Sequence, residues 1–120
     1  MRLNSGSTLA GPNGTVASRV YVADTYTSRL RGVLGRPPLE HDEALVITPC
    51  SQVHTFGVRY ALDVVFRDNY DVVLHVETVP PGRMSKKVSG SSGCVELLGG
   101  RAAECGIVVG SRLFVVETVQ

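Results

Sequence analysis

Valine is the commonest aliphatic residue of this chain, and its abundance constrains the fold more than any other feature. The 120 residues include 20 Val but only 11 Leu and 2 Ile. Valine is branched at Cβ, which restricts χ1 and favours a pleated strand. The 13 Gly separate short apolar runs, as turns between brief strands do. The sequence therefore predicts a mainly β (β-rich α+β) fold, a small barrel-like domain of about 6 to 8 short strands with two short helices.

The composition is that of a folded domain without an electrostatic preference for a polyanion. Apolar residues make up 43% of the chain and the formal net charge is +1. This balance excludes disordered, collagen-like and coiled-coil descriptions of the whole chain. Nucleic acid is not predicted as a partner, because it usually requires a basic stripe. The sequence predicts a monomer whose partner is an unknown small ligand or a protein.

The sequence contains no membrane-spanning stretch, which needs roughly 18 consecutive apolar residues. Residues 1–13 are polar and lack the apolar centre of a signal peptide. We therefore expect a soluble protein without membrane insertion. The expected location is the cytoplasm, or outside it if a leader has been trimmed from the N-terminus.

Residues 1–15 are predicted to form a flexible N-terminal arm, and residues 16–120 a single globular β-rich domain. The arm contains Ser5-Gly6-Ser7 and Gly11-Pro12-Asn13-Gly14, residue types that favour turns and loops. The first predicted strand covers residues 16–22.

Hydrophobic spacing predicts the remaining elements. Aliphatic residues recur at helical spacing before Gly35, which predicts an amphipathic helix over residues 26–35 with a cationic outer face. Residues 60–67 and 72–79 are predicted to form a hairpin, and the basic loop 80–93 to be mobile unless something docks on it. Further predictions are strands over 44–48, 94–98 and 113–119 and a short helix over 101–105.

The chain has three cysteines, Cys50, Cys94 and Cys105, and no CxxC pair. An odd number without this spacing argues against a disulfide framework and a structural zinc site. Reduced thiols are the expectation, although one pair could bridge in an oxidising compartment. The sequence predicts no cofactor and no metal ligand.

Residues 50–63 bring the most chemically versatile side chains together. Cys50 and His54 could act as nucleophile and base, with Asp63 orienting the imidazole, in a hydrolase or transferase. Cys50 and His54 could also bind a metal, with Asp63 or His75 as third ligand. In the structural interpretation, Cys50 is a small buried hydrophobe and Asp63 accepts hydrogen bonds from the loop around His54 and Thr55.

The predicted helix adds arginines that could hold a carboxylate or phosphate through bidentate contacts. The sequence assigns no catalytic residue and predicts a binding pocket near His54 and Asp63. Its predicted residues are Arg29, Arg31, Arg36, Cys50, His54, Thr55, Arg59 and Asp63.

Three ordered motifs carry a family resemblance. They are TSRLRGVLGR at residues 27–36, HTFGVRYALDVVF at residues 54–66, and the glycine-flanked segments 96–100 and 106–110. The chain resembles the prokaryotic family catalogued as domain of unknown function 192. The resemblance implies a compact β-rich, barrel-like domain with two short helices and no established activity. It also implies an accessory role near envelope, pilus or secretion processes.

Two positions depart from the family pattern. Val58 stands where Met is common, and Ser111 stands where Asp is common. The first alters the wall of any pocket near His54, so a ligand inferred from relatives does not transfer. The sequence thus predicts an uncharacterised, noncatalytic binding or accessory module. The alternatives are the Cys/His enzyme and a protein-docking module that uses the loop 83–92.

Overall fold

Nine strands and two short helices occur in residues 1–117, the part of the chain described by this computed structural model. The strands are β1 (Arg2–Leu3), β2 (Ser7–Gly11), β3 (Gly14–Ala17), β4 (Arg19–Ala23), β5 (Glu43–Ile47), β6 (Leu62–Arg67), β7 (Val73–Val79), β8 (Gly93–Leu98) and β9 (Phe114–Glu117). The helices are α1 (Tyr26–Arg31) and α2 (Arg101–Glu104).

The strands form two sheets. Six of them pair in the order β1-β4-β5-β8-β6-β7, and three pair in the order β3-β2-β9. The pair β4–β5 is parallel, and its neighbours in the large sheet are antiparallel. The mainly β prediction is confirmed, whereas within residues 1–117 the sheets do not close into a barrel. Neither helix in this range is long and apolar enough to cross a membrane.

The large sheet is buried on both faces, because its strands alternate between two hydrophobic cores. Val65, Val95 and Leu97 face the small sheet and α2 in what we call the sandwich core. Phe66 and Cys94 face the opposite side, which we call the helix-side core and which α1's trailing segment and residues 53–58 cover. Strands buried on both faces are rich in apolar residues, as β5 and β6 are apart from Glu43, Asp63 and Arg67.

The predicted flexible arm is wrong for residues 2–15. They form β1, β2 and the start of β3, and Leu9 in β2 is 0% exposed in the sandwich core. Its Ser and Gly content indicated a loop, but β2 gains a full partner in β9 from the other end of the chain. Such non-local pairing leaves no signal in local composition.

Three other boundaries differ from the predictions. The strand predicted over 16–22 breaks at Ser18, which separates β3 of the small sheet from β4 of the large one. Helix α1 ends at Arg31 and is capped by Gly32, rather than continuing to Gly35 as predicted. The φ of Gly32 is 52°, a backbone conformation that glycine adopts readily because it has no Cβ. Strand β9 begins at Phe114, and residues 118 and 119 of its predicted span lie outside the described residues.

The loop predicted to be mobile is tied down by the chain itself. The backbone N–H groups of Thr55, Ser85 and Val88 donate to the carbonyls of Arg83, Val53 and Ser51 over 2.8, 2.9 and 2.8 Å. The side chain of Ser85 also accepts from the N–H of Val53 at 3.0 Å. Residues 51–55 and 83–88 therefore lie side by side as one unit beside the large sheet.

Asp63 holds α2 against the large sheet. Its carboxylate is 2% exposed and accepts from the Thr78 hydroxyl at 2.7 Å and from the N–H groups of Gly100 and Ala102 at 3.0 and 2.9 Å. The helix-terminal N–H groups have no intrahelical partner, so a buried carboxylate satisfies them.

We expect Asp63→Asn to lower the free energy of unfolding by about 2–4 kcal/mol, since it replaces a charged acceptor and leaves a buried donor unpaired. Urea denaturation measures the change. Asp24→Asn is the matched control, because Asp24 pairs with Arg2 on the surface and should change stability by less than about 1 kcal/mol. Equal stability of both variants would contradict the capping role.

Candidate functional site

A cavity of about 420 Å³ opens between α1 with its trailing turn, residues 47–54 and the strand β8. Cavities of this size hold small organic ligands. Much of its wall is aliphatic. The aliphatic lining residues are Leu30, Val33, Leu34, Ile47, Val53 and Val58, and the polar ones include Arg29, Arg31, Cys50, His54 and Glu96.

Helix α1 forms one wall although none of its residues is buried. Thr25 and Ser28 form a capping box that starts the helix, with the Ser28 N–H donating to Thr25 Oγ1 at 3.1 Å. At the other end, a Cβ on Gly32 would lie 3.4 Å from Glu96 Oε1. The helix therefore ends directly over Glu96 at a residue that has no side chain to cover it.

Glu96 is the polar group at the floor of the cavity. It lies in β8 opposite Leu45 and Val64, is 2% exposed, and its Oε1 has no hydrogen-bond partner. Burial first, and then the charge of Cys50, raises the pKa of this carboxyl from 4.5 to about 8. At neutral pH Glu96 is mainly a carboxylic acid, which can both donate and accept a hydrogen bond.

Cys50 lines the same cavity as Glu96. A hydrogen bond from the Cys94 thiol lowers the pKa of Cys50 from 9.0 to about 7, aided by the backbone at Gln52 and the charge of Arg29, while burial opposes the shift. Cys94 is fully buried, and burial together with Cys50 raises its pKa well above the ordinary value. The pair therefore places the negative charge on Cys50 and the proton on Cys94.

Two of the four predicted arginines, Arg29 and Arg31, line the cavity. Arg29 Nη1 donates to the carbonyl of Pro49 at 3.3 Å, while its Nε is buried without a partner. Arg31 lies exposed at the mouth. Arg36 turns away, because its Nη2 is 3.1 and 3.3 Å from the two carboxylate oxygens of the buried Glu43.

The other predicted residues divide between cavity and scaffold. His54 lines the cavity, and its Nδ1 accepts from the N–H of Phe56 at 3.2 Å. Thr55 is fully buried and accepts from the N–H of Arg83 at 2.9 Å, so it fastens the loop rather than the site. Arg59 lies with Arg36 at a smaller neighbouring hollow of about 190 Å³.

Asp63 lies on the sandwich face of β6, opposite to the cavity, so its predicted place near His54 is wrong. Its partners are Thr78 and α2 rather than the loop around His54 and Thr55. His75, the other predicted metal ligand, pairs with Glu77 at 3.0 Å on β7. Within residues 1–117 no three His, Cys, Asp or Glu side chains converge as a metal site would require.

Glu96 is the residue that sequence reasoning missed. The run CVELL contains one acid among four residues of apolar or thiol character, a pattern that places the carboxyl in a buried strand. The same pattern drew attention to Asp63, but it does not say on which face of the sheet the acid lies.

We expect the stability of the wild type to fall relative to Glu96→Gln as pH rises from about 5 to about 8. Across this window the folded state keeps the Glu96 proton and the unfolded chain has lost it, so unfolding releases a proton. The relative change should be on the order of 4 kcal/mol. Urea titrations at several pH values measure it.

The control for this experiment is Glu117→Gln, which removes an exposed carboxyl at the end of β9. The free energy of unfolding of this variant should change with pH in the same way as that of the wild type between about pH 5 and 8. A Glu96→Gln curve that also runs parallel to the wild type would show that Glu96 is ionised in the folded protein.

We expect alkylation of Cys50 by iodoacetamide to follow an ionisation near pH 7 in a Cys105→Ser background, because the thiolate is the reacting form. Adding Cys94→Ala removes the hydrogen bond and should move the midpoint towards the ordinary thiol value. Mass spectrometry of the alkylated peptide gives the rate. A midpoint unchanged by Cys94→Ala would remove Cys94 as the cause of the shift.

Two solved structures share this fold. A protein of unknown function from Novosphingobium aromaticivorans is 22% identical with a TM-score of 0.78, covering 90% of this chain and 82% of that chain. A putative transcription regulator from Sinorhizobium meliloti is 20% identical with a TM-score of 0.73, covering 91% of each chain. At these identities the likeness concerns the fold alone.

Among curated proteins, none matches the sequence. A family model described as "Uncharacterized ACR", the domain of unknown function 192, matches residues 8–115. This match covers the strands from β3 to β8, both helices and every residue that lines the cavity. The chain therefore belongs to the family of domain of unknown function 192.

Proposed function

We propose that this protein is a small-ligand-binding module and that its ligand is a small monocarboxylate with an apolar body. The observation that carries the proposal is Glu96, whose buried Oε1 faces the cavity without a partner. A buried polar atom without a hydrogen bond costs about 1–3 kcal/mol. A ligand oxygen that pairs with Glu96 would recover that cost.

The charges around the cavity favour an anion. Arg29 and Arg31 contribute two guanidinium groups, and the buried Nε of Arg29 has a free donor. The protonated form of Glu96 adds no negative charge at neutral pH, and the two guanidinium groups outweigh the single Cys50 thiolate. Guanidinium groups recognise carboxylates through paired hydrogen bonds, so the ligand's one carboxylate pairs with Arg29 as well as with the protonated Glu96.

The aliphatic wall favours an apolar body. Val33, Ile47 and Val58 line the cavity together with the arginines and Glu96. A ring or short chain fits this zone, because apolar contact with these side chains releases ordered water. Val58 replaces the larger Met common in the family pattern, which leaves more room at this wall.

This proposal keeps the binding role predicted from the sequence and replaces Asp63 by Glu96. An accessory role in envelope, pilus or secretion processes is retained as part of the proposal, supported by the family resemblance. The Cys/His alternative draws less support, because the Nδ1 of His54 accepts from the N–H of Phe56 and, within residues 1–117, no hydrogen bond joins His54 to Cys50. The docking alternative would use a loop already held against residues 51–55.

The test uses 3-phenylpropionate and its neutral amide as probes, with isothermal titration calorimetry near neutral pH. We expect saturable binding of the carboxylate and at least tenfold weaker binding of the amide, about 1.4 kcal/mol or more. Arg29→Gln should weaken carboxylate binding to the level of the amide, because it removes the paired charge.

The matched control is Arg112→Gln, since Arg112 lies over the ring of Phe114 away from the cavity. It should bind the carboxylate as the wild type does. Equal affinities for carboxylate and amide, or equal losses in the two arginine variants, would overturn the proposed ligand class.

A further inference from the structure

We propose that Cys50 and Cys94 form a reversible redox pair, which hydroperoxides entering the cavity oxidise to a disulfide. The inference concerns chemistry beyond binding, and it shares the cavity of the proposed function. It is carried by the placement of two thiols and one carboxylic acid on the same side of the large sheet.

The fold brings the two thiols together from different elements. Ile47 at the end of β5 lies opposite Cys94 on β8, and the chain turns after residue 47 so that Cys50 packs against the helix-side core that contains Cys94. The Ser91 hydroxyl donates to the carbonyl of Cys50 at 2.8 Å and ties this turn to the entry of β8. Both cysteines are free in this structure.

Access to the two sulfurs is unequal. Cys50 is partly exposed and lines the cavity, whereas Cys94 is 0% exposed beneath it. An oxidant from solvent therefore reaches Cys50 first. Cys94 is the resolving thiol, because it lies in contact with the oxidised sulfur and is shielded from a second oxidant.

The surroundings of Cys50 suit attack on a weak O–O bond. The hydrogen bond from Cys94 and the charge of Arg29 maintain a thiolate near neutral pH. Glu96 presents a carboxylic acid to the same cavity that Cys50 lines. A leaving alkoxide needs a proton, and an acid that lines the cavity can supply it.

The first step balances as a two-electron transfer. The Cys50 sulfur attacks the distal oxygen of the hydroperoxide, an S–O bond forms and the O–O bond breaks. The leaving alkoxide takes the Glu96 proton, which yields an alcohol and leaves a Glu96 carboxylate. Cys50 is now a sulfenic acid, oxidised by two electrons, and the peroxide is reduced by two.

The second step closes the disulfide. The Cys94 sulfur attacks the Cys50 sulfur, and the S–O bond breaks. The proton of Cys94 goes to the departing hydroxide, which leaves as water. A dithiol reductant returns both thiols by exchange through a mixed disulfide.

Oxidation also changes the proposed binding site, a consequence that rests on the proposed function. The Cys50 thiolate disappears when the disulfide forms, and Glu96 takes back a proton from solvent, so the oxidised cavity has one negative charge fewer than the reduced cavity. The disulfide form should then bind 3-phenylpropionate more tightly than the reduced form, by roughly tenfold at most.

The experiment treats the fully reduced wild type with one equivalent of cumene hydroperoxide near neutral pH and follows intact mass and peptide maps. We expect a loss of about 2 Da and a Cys50–Cys94 peptide, both reversed by dithiothreitol. Cys105 is the internal control, because it lies 8% exposed in the sandwich core and burial raises its pKa. It should react at least roughly tenfold more slowly.

Two variants assign the roles. Cys94→Ser should accumulate a sulfenic acid on Cys50 that dimedone traps, because the resolving thiol is gone. Glu96→Gln should slow the first step with cumene hydroperoxide while leaving alkylation of Cys50 by iodoacetamide unchanged, since the latter needs no proton donor.

The inference is overturned if the wild type keeps both thiols, or if Cys105 is oxidised as fast as Cys50. These readouts do not depend on carboxylate binding. Probe binding without peroxide reactivity would remove the redox pair alone, and peroxide reactivity without probe binding would remove the proposed ligand alone.

Discussion

Burial of the central strands on both faces is the constraint on which the rest of the structure depends. Strands β5, β6 and β8 lie between the sandwich core and the helix-side core, so any charged side chain on them needs a partner within the protein. Four such residues are present. Glu43 pairs with Arg36, Asp63 binds the start of α2, and Arg67 Nη1 donates to the carbonyl of Leu113 at 2.6 Å. For Glu96 Oε1 the structure provides no partner, and the cavity lies in front of it.

The chemistry of the cavity follows from that unsatisfied acid. Its neutral form, the neighbouring Cys50 thiolate and the Arg29 guanidinium together bring a proton donor, a nucleophile and a cation to one aliphatic pocket. These groups affect one another's protonation. The charge of Cys50 raises the pKa of Glu96, and the charge of Arg29 lowers the pKa of Cys50. The proposed binding role and the proposed redox role are thus two uses of one arrangement.

Asp63 and Glu96 show which features of a buried acid can be predicted from the sequence and which cannot. Each is an acid within an apolar run, so burial of both could be inferred from local pattern. Their functions differ because neighbouring positions of a strand face opposite sides, and the side is decided by which face α1 and α2 cover. Asp63 meets helix-terminal N–H groups, whereas Glu96 meets the bare end of α1 at Gly32. The arm prediction failed for a related reason, since the partner of β2 is 100 or so residues away in β9.

The sequence by itself determined the β-rich fold class, the β6–β7 hairpin, the two short helices and the family membership. Arg29, Cys50 and His54, which the sequence predicts for a pocket, do line the cavity. These depend on χ1 restriction, periodicity and residue chemistry, which are local properties. Three features were decided only by the tertiary structure. Cys50 packs near Cys94, Glu96 rather than Asp63 lines the cavity, and the basic loop is hydrogen-bonded to residues 51–55. Those contacts join segments far apart in the chain, and a local pattern carries no information about the face or the partner on which they depend.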